Sequence, residues 1–298
     1  MNLKSILTGT VGNQYAVGSF SPRVTQLIRP VLQAAQNTQS PVIVQISQKE
    51  LMLYEVSVGA FSKTYFKLLK QLDISVPTTL HLDHTKEFGI IKDAIAAGFE
   101  SVMIDASEKS FEENVDMTRR VVEHAKHYNV SVEAELGRIG TTDFVETDND
   151  EEFLTIPEQA QTFVALTGVD ALAVSVGTAH GVYHKRQPRI DLERIKAIRQ
   201  LTPVFLVLHG ASGVPSDMLA QALKLEGGGP SKVNIATDIE LAFLDAINRD
   251  ERLTDKACDS LDQALLSRGQ QAAMALVENK MRHYLFSAKK APIATPGV

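Results

Sequence analysis

An α/β fold of the (β/α)8 TIM-barrel type, with a C-terminal helical extension, is predicted by three observations. Short β-rich runs recur along the chain, stretches of helical period separate them, and the unusual polar residues fall where those runs end. The runs lie at about 16–20, 42–46, 79–83, 101–104, 130–135, 171–176, 204–208 and 232–235, which makes eight. Candidate helices between them cover 22–36, 51–72, 86–97, 111–127, 157–166, 192–199 and 216–225.

Each helix has its own signals. Thr155 with Glu158 three residues on has the form of a capping box, and Pro157 suits a first turn. Pro215-Ser216-Asp217 opens the next helix but one in a similar way. Gly98 and Gly227-Gly228-Gly229-Pro230 read as helix stops and turns. Alternating strands and helices imply parallel pairing through right-handed crossovers, and eight repeats close a barrel more naturally than they form an open sheet. The 298 residues match a barrel of roughly 250 residues plus an extension, and the chain turns helical after Thr237 through about Ala288. No composition shift or Pro/Ser-rich linker divides residues 1–298, so a single domain is expected.

Composition narrows the function classes. With 44% hydrophobic and 22% charged residues the chain reads as an ordinary globular protein, and the net charge of −6 argues against a nucleic-acid partner. Cys258 is the single cysteine, which rules out an internal disulfide and fits a reducing compartment; its polar, helix-like setting marks it as inert. The amino terminus has no signal-type apolar core, and no apolar run approaches the ~20 residues of a membrane helix. A cytoplasmic location without a membrane partner is expected.

The segment Leu80-His81-Leu82-Asp83-His84-Thr85 closes the third run with two imidazoles and a carboxylate within four residues. Asp105 follows the fourth run, Glu133 and Glu135 end the fifth, His180 follows the sixth, His209 ends the seventh, and Asn234 lies at the end of the eighth. In a barrel these ends converge on the face that carries active sites. A lone strand-end histidine is ordinarily structural, whereas several converging ones suggest a metal held where strands meet loops. A carboxylate beside a metal ligand suits general acid/base chemistry. His124 and His127 on a charged helix, and His283 in the tail, read as surface residues; His184 reads as surface or as a partner of His180. Strict alternation would put Asp83 and His84 on opposite strand faces, so both reach one site only where the chain leaves extended geometry.

The motifs His81-x-Asp83-His84, Val132-Glu133-x-Glu135-Leu136-Gly137-x-x-Gly140, Gly177-Thr178-x-His180-Gly181, His209-Gly210-x-Ser212-Gly213 and Asn234-Ile235-Ala236-Thr237-Asp238 resemble those of class II ketose-bisphosphate aldolases. That is the zinc family acting on fructose or tagatose bisphosphate, and the motifs occur in family order from about residue 10 to 290. The resemblance implies one catalytic Zn²⁺ on His84, His180 and His209, with a position open for substrate, and a monovalent cation as a second candidate. Zinc would bind the ketone and adjacent hydroxyl oxygens of dihydroxyacetone phosphate and stabilise the enediolate formed when the carbon–carbon bond breaks. Asp83 would move the C4 hydroxyl proton, as base in cleavage and acid in condensation.

Gly181, Gly210, Ala211, Ser212, Asn234, Ile235, Ala236 and Thr237 match the family's dihydroxyacetone phosphate site. Small residues there let backbone N–H groups approach a phosphate, and loops after strands seven and eight commonly form that pocket in barrels. The proton at C3 is moved in the family by a carboxylate on a loop after strand five. Here that stretch reads Gly140-Thr141-Thr142-Asp143 where the family usually ends in Glu, so Asp143 is the candidate shuttle and Glu146 its fallback. Glu135 and Asp105 resemble residues lining the metal site or an alternative metal position; orienting partners of the histidines is the equal alternative. A phosphorylated sugar substrate and a homodimer or homotetramer are also implied, with the C-terminal helix as a candidate contact.

Departures from the family pattern cluster away from these motifs. Ser21 stands where Asn is usual, and Ser47-Gln48-Lys49-Glu50 replaces a small, glycine-containing loop. Asp105-Ala106-Ser107-Glu108 lacks a histidine many members carry, and Thr85 replaces Gly or Ala. The expectation is that the dihydroxyacetone phosphate half is kept and the aldehyde partner differs from glyceraldehyde 3-phosphate. Three rivals stand beside this reading. A Schiff-base aldolase needs a lysine on a central strand, but the sixth has none and Lys232 begins the eighth near the wrong end of the barrel. A metal-dependent barrel hydrolase of the amidohydrolase type needs His-x-His on the first strand, which residues 15–21 lack. A non-catalytic accessory subunit would not need His84, His180, His209 and Asp83 intact.

Overall fold

Strict inside–outside alternation along eight strands organises the molecule. In the computed structural model, which describes residues 1–139, 153–181 and 188–291, the strands are β1 (Val17–Phe20), β2 (Val42–Ser47), β3 (Thr78–Thr85), β4 (Ser101–Ile104), β5 (Ser131–Leu136), β6 (Ala171–Val174), β7 (Phe205–Leu208) and β8 (Lys232–Ile235). They pair in sequence order, all parallel, and β1 closes on β8 through Val17↔Lys232 to Phe20↔Ile235. The predicted (β/α)8 barrel is the observed fold.

The alternation assigns the two faces. Val42, Val44 and Ile46 of β2, Leu80 and Leu82 of β3, Val132, Ala134 and Leu136 of β5, and Val233 and Ile235 of β8 face outward into one apolar layer. That layer is closed by α2 (Ile28–Thr38), α4 (Val58–Gln71), α5 (Phe88–Ala96), α6 (Phe111–Lys126), α7 (Pro157–Thr167), α8 (Leu192–Leu201) and α9 (Ser216–Leu223). The residues between them point into the barrel. Val17, Ile43, Met103, Ala171, Ala173 and Val207 form a separate apolar cluster there, sealed by Leu3, Ile6 and Leu7 of α1 (Leu3–Leu7). Above this floor the inward positions turn polar, with Ser19, Gln45, His81, Glu133 and Lys232 all buried. A polar interior has to be internally satisfied, and that requirement shapes the site.

Three local expectations are corrected. The 22–36 stretch does not start as α-helix, because Arg23 is left-handed (φ 64°); a short 3₁₀ turn, Thr25–Leu27, precedes α2. The 51–72 stretch is two helices, α3 (Gln48–Leu53) and α4, parted by left-handed Glu55 (φ 56°) and restarted by Ser57, whose side chain accepts from the Ala60 N–H. The capping box expected at Thr155 and Glu158 is absent. Ile156 is the N-cap, and the buried Thr155 hydroxyl instead donates to the Leu136 carbonyl and accepts from the Ser175 N–H at 2.8 Å. A polar group needed to tie β5 to β6 is not free to cap a helix.

Beyond β8 come α10 (Thr237–Ala246), α11 (Asp255–Asp259) and α12 (Gln263–His283). The last packs on α2 and α10 and is pinned by Lys280 to Asp238 at 2.7 Å. Cys258 is fully buried in α11, and burial pushes its thiol up to about 12, in keeping with an inert residue. No helix among the described residues is long and apolar enough to cross a membrane.

Candidate active site

The end of β3 decides the geometry. Its pairing with β4 shifts register between Leu82 and Thr85, and His84 adopts a left-handed backbone with φ 29°. A histidine in that conformation is uncommon and strained, at a cost of about 1–3 kcal/mol. The bend turns two consecutive side chains toward one cleft, so Asp83 and His84 both line it. The spacing conflict raised by strand alternation is resolved by this distortion.

Three imidazoles meet there. His84 and His209 lie edge to face, 4.5 Å between ring centres, and His84 and His180 likewise at 4.8 Å. Carboxylates hold the outer nitrogens: His84 Nδ1 is 2.9 Å from Asp105 Oδ2, and His209 Nε2 is 2.9 Å from Glu133 Oε1. Their inner nitrogens, His84 Nε2 and His209 Nδ1, face one another at 2.7 Å. His180 Nε2 is buried without a hydrogen-bond partner among the described residues. One ligand atom from each of the three falls within 4.8 Å of the others. Inner nitrogens turned together, outer ones fixed by acids and one orphaned buried nitrogen fit a divalent transition-metal cation.

The electrostatics agree with that fit. Burial lowers the pKa of His180 and of His209, with positive charge on His84 adding to the effect, so both favour the neutral form a ligand needs. Burial opposes charge on His84 as well, yet Asp83, Asp105 and Glu135 outweigh it and raise its pKa to about 10. The field that retains a proton there also favours a cation in its place. Burial, with Asp105 nearby, pushes Glu135 up to about 8; it accepts the Ile139 N–H on Oε1, and its Oε2 lacks a hydrogen bond among the described residues. His84, Asp105 and Glu135 thus form a second grouping able to hold an ion, and His81, Asp83 and Glu133 a third.

The third grouping already contains a cation. Lys232 starts β8 at the lower end, as expected, but its fully buried side chain climbs the barrel interior. Its Nζ lies 2.8 Å from Glu133, 3.2 Å from His81 Nε2 and 3.7 Å from Asp83. The reading of Lys232 as remote from the site is therefore corrected: a lysine stem spans the distance that its Cα does not. His81 completes the layer with Nδ1 against Ser101 Oγ at 2.9 Å. Burial alone would raise the pKa of Asp83, but His84 and Lys232 hold it well below the usual carboxylate range. Lys232→Met is expected to destabilise the fold by about 3–5 kcal/mol in urea unfolding, because Glu133 would stay buried without its ammonium. A loss under about 1 kcal/mol would show that this pair contributes nothing net.

Asp83 is held by Gln45 Nε2 at 3.0 Å and by Asn234 Nδ2 at 3.2 and 3.3 Å, while Asn234 Oδ1 is left without a partner among the described residues. Gln45 was not singled out from the sequence; its signal was a lone amide in the apolar run Val42-Ile43-Val44-Gln45-Ile46. The cleft has a volume of about 470 Å³, and Gly181, Gly210, Ser212, Asn234, Ala236 and Thr237 line one end. The side chains of Ala211 and Ile235, expected with them, pack into the apolar core, so only their backbone N–H groups could serve a phosphate. Gly210 is left-handed (φ 64°), and a Cβ there would meet the Ala179 carbonyl oxygen at 2.5 Å, so the turn requires glycine. The N-terminus of α10 opens at this end, a ready anion site. Asp143, Glu146 and His184 lie outside the described residues.

Fold and site together define a barrel enzyme with a histidine cluster able to hold a cation beside an ionised aspartate. The family model described as fructose-bisphosphate aldolase class-II matches residues 1–290, and the chain belongs to that family. It is an aldolase, a carbon–carbon lyase, of a generally metal-dependent kind. A putative fructose-1,6-biphosphate aldolase from Coccidioides immitis is 30% identical over 97% of both chains, with a TM-score of 0.82. The YdjI aldolase from Escherichia coli K12 is 27% identical over 98% of this chain and 99% of that one, with a TM-score of 0.80. Fructose-bisphosphate aldolase from Campylobacter jejuni, 24% identical over 97% of this chain and 95% of that one with a TM-score of 0.76, shares the fold.

Proposed function

We propose that the chain is a zinc-dependent aldolase that reversibly cleaves a ketose phosphate to dihydroxyacetone phosphate and an aldehyde. The ketose is fructose or tagatose 1,6-bisphosphate or a related sugar phosphate. The observation that carries the reading is the convergence of His84, His180 and His209 beside Asp83 at the mouth of the barrel. Held by those three imidazoles, zinc supplies a Lewis acid that stabilises negative charge developing on the ketone oxygen.

Asp83, ionised and bonded to Gln45 and Asn234, takes the C4 hydroxyl proton in cleavage and returns it in condensation. Those two amides fix its carboxylate, and Asn234 Oδ1 remains available to accept a substrate hydroxyl. The phosphate is placed at Gly181, Gly210, Ser212 and the start of α10, where backbone N–H groups and the helix dipole favour an anion. Asp143 is assigned the proton at C3, with Glu146 as the fallback. Asp105 and Glu135 orient His84 or offer an alternative metal position. A cytoplasmic homodimer or homotetramer is part of the same reading, resting on the single cysteine and on family resemblance.

Solvent-deuterium exchange into dihydroxyacetone phosphate, followed by NMR with zinc-loaded and chelated protein, tests this reading without needing the aldehyde. Exchange that depends on zinc is expected; its absence from the loaded protein would overturn the proposal.

A further inference from the structure

The wall of the cleft beyond Asp83 is built from β1, β2 and α3, and it is organised around one carboxylate. Ser47 pairs with Asp83 across β2 and β3, which places the start of α3 next to the group assigned to the C4 hydroxyl. Substrate atoms past C4 therefore meet this wall. Glu50 projects into it with its side chain 13% exposed. Its Oε2 accepts from the Ser21 hydroxyl at 2.7 Å, the Ser47 N–H at 3.0 Å and the Ser47 hydroxyl at 3.1 Å. Its Oε1 accepts from Arg23 Nε at 3.0 Å.

Among the described residues, every inner donor of this wall is thereby committed. Arg23, with a side chain 12% exposed, spends its remaining nitrogens on Glu240 and on the Thr237 hydroxyl at 3.3 Å, and the Tyr54 hydroxyl donates to Glu240 as well. Two carboxylates share the one enclosed guanidinium, and the second guanidinium that reaches Glu240, Arg252 at 3.5 Å, is exposed, so the enclosed part of the wall is net negative. Lys86 is matched by Glu108 at 2.6 Å. Among the described residues the remaining lining cations, Lys49 and Arg252, are exposed, where solvent and salt screen them. A phosphate dianion needs uncommitted donors such as a free guanidinium fork. Here it would meet a largely buried carboxylate instead. A hydroxyl suits the wall, because a carboxylate offers about four acceptor positions and Oε1 carries a single bond.

Resting on the aldolase reading, we infer that Glu50 is a specificity-determining residue that selects an uncharged polyhydroxy aldehyde and disfavours a phosphorylated one. The substrate class is then a ketose monophosphate whose phosphate sits at the dihydroxyacetone end.

The test compares condensation of dihydroxyacetone phosphate with D-glyceraldehyde and with D-glyceraldehyde 3-phosphate on the zinc-loaded enzyme. The expected result is a kcat/KM at least about tenfold higher for the uncharged aldehyde. Glu50→Gln keeps the shape and removes the charge, and it should move that ratio at least about fivefold toward the phosphorylated aldehyde. Because the readout is a ratio within one protein, a general loss of activity cancels. A wild-type preference for the phosphorylated aldehyde would overturn the inference even if the variant fails to fold, and an unchanged ratio in a folded variant would do the same. The deuterium exchange separates the two layers: exchange with the wrong preference defeats only the role of Glu50. Absence of both exchange and condensation defeats the aldolase reading and this inference together.

Discussion

Asp83→Asn is expected to lower kcat for ketose cleavage by roughly 10²–10⁴-fold, the range of a positioned general base, while zinc-dependent deuterium exchange into dihydroxyacetone phosphate persists. The asymmetry follows from the assigned proton transfers. Cleavage needs a base at the C4 hydroxyl, whereas exchange concerns the C3 proton given to a different carboxylate. An amide at position 83 retains the shape and can still meet Gln45 and Asn234, which now hold the carboxylate from two sides. What it lacks is a basic oxygen. Cleavage and exchange assayed on one metal-loaded preparation, with zinc content measured beside them, make the test. Equal loss of both activities at full zinc occupancy would assign Asp83 to the integrity of the site rather than to C4, and a decrease in cleavage under tenfold would remove it as the base.

His209→Ala is expected to abolish zinc retention and turnover together. The imidazole is fully buried, anchored through Nε2 to Glu133, and its Nδ1 faces His84 Nε2 at 2.7 Å. Removing it takes one of three imidazole donors from the cluster and leaves a cavity that the rigid strand ends cannot close. Metal per chain after dialysis, read by elemental analysis beside turnover at saturating substrate, checks both halves. Zinc retained at full occupancy would sink the assignment of His209 as a ligand.

How much of this was legible before the structure depends on the kind of signal each residue gives. The strands were readable because outward residues such as Val132, Ala134 and Leu136 alternate with inward polar ones such as Glu133 and Glu135, and that period survives any tertiary context. The histidines were readable because imidazoles at successive strand ends are hard to explain as packing. Lys232 was misplaced because a Cα position says little about where a four-carbon stem delivers its charge. Thr155 was misassigned because a hydroxyl suited to a helix cap is equally suited to bridging two strands, and burial chose the bridge. Glu50 stood out only as part of an unfamiliar loop. Its contact with Ser47 is a local capping box, but its grip on Ser21 and Arg23 joins residues up to 29 positions apart, and no local pattern announces that meeting.

The bend at His84 reaches beyond the site it shapes. Asp83 and His84 share a single peptide unit, so the residues assigned as base and metal ligand are mechanically one part. A substitution that rotates the peptide to retune the ligand must swing the base through the same arc, and the converse holds. Changes in the sugar handled by such a barrel are therefore channelled to walls that lie off this unit, while the chemistry at its centre stays locked in step.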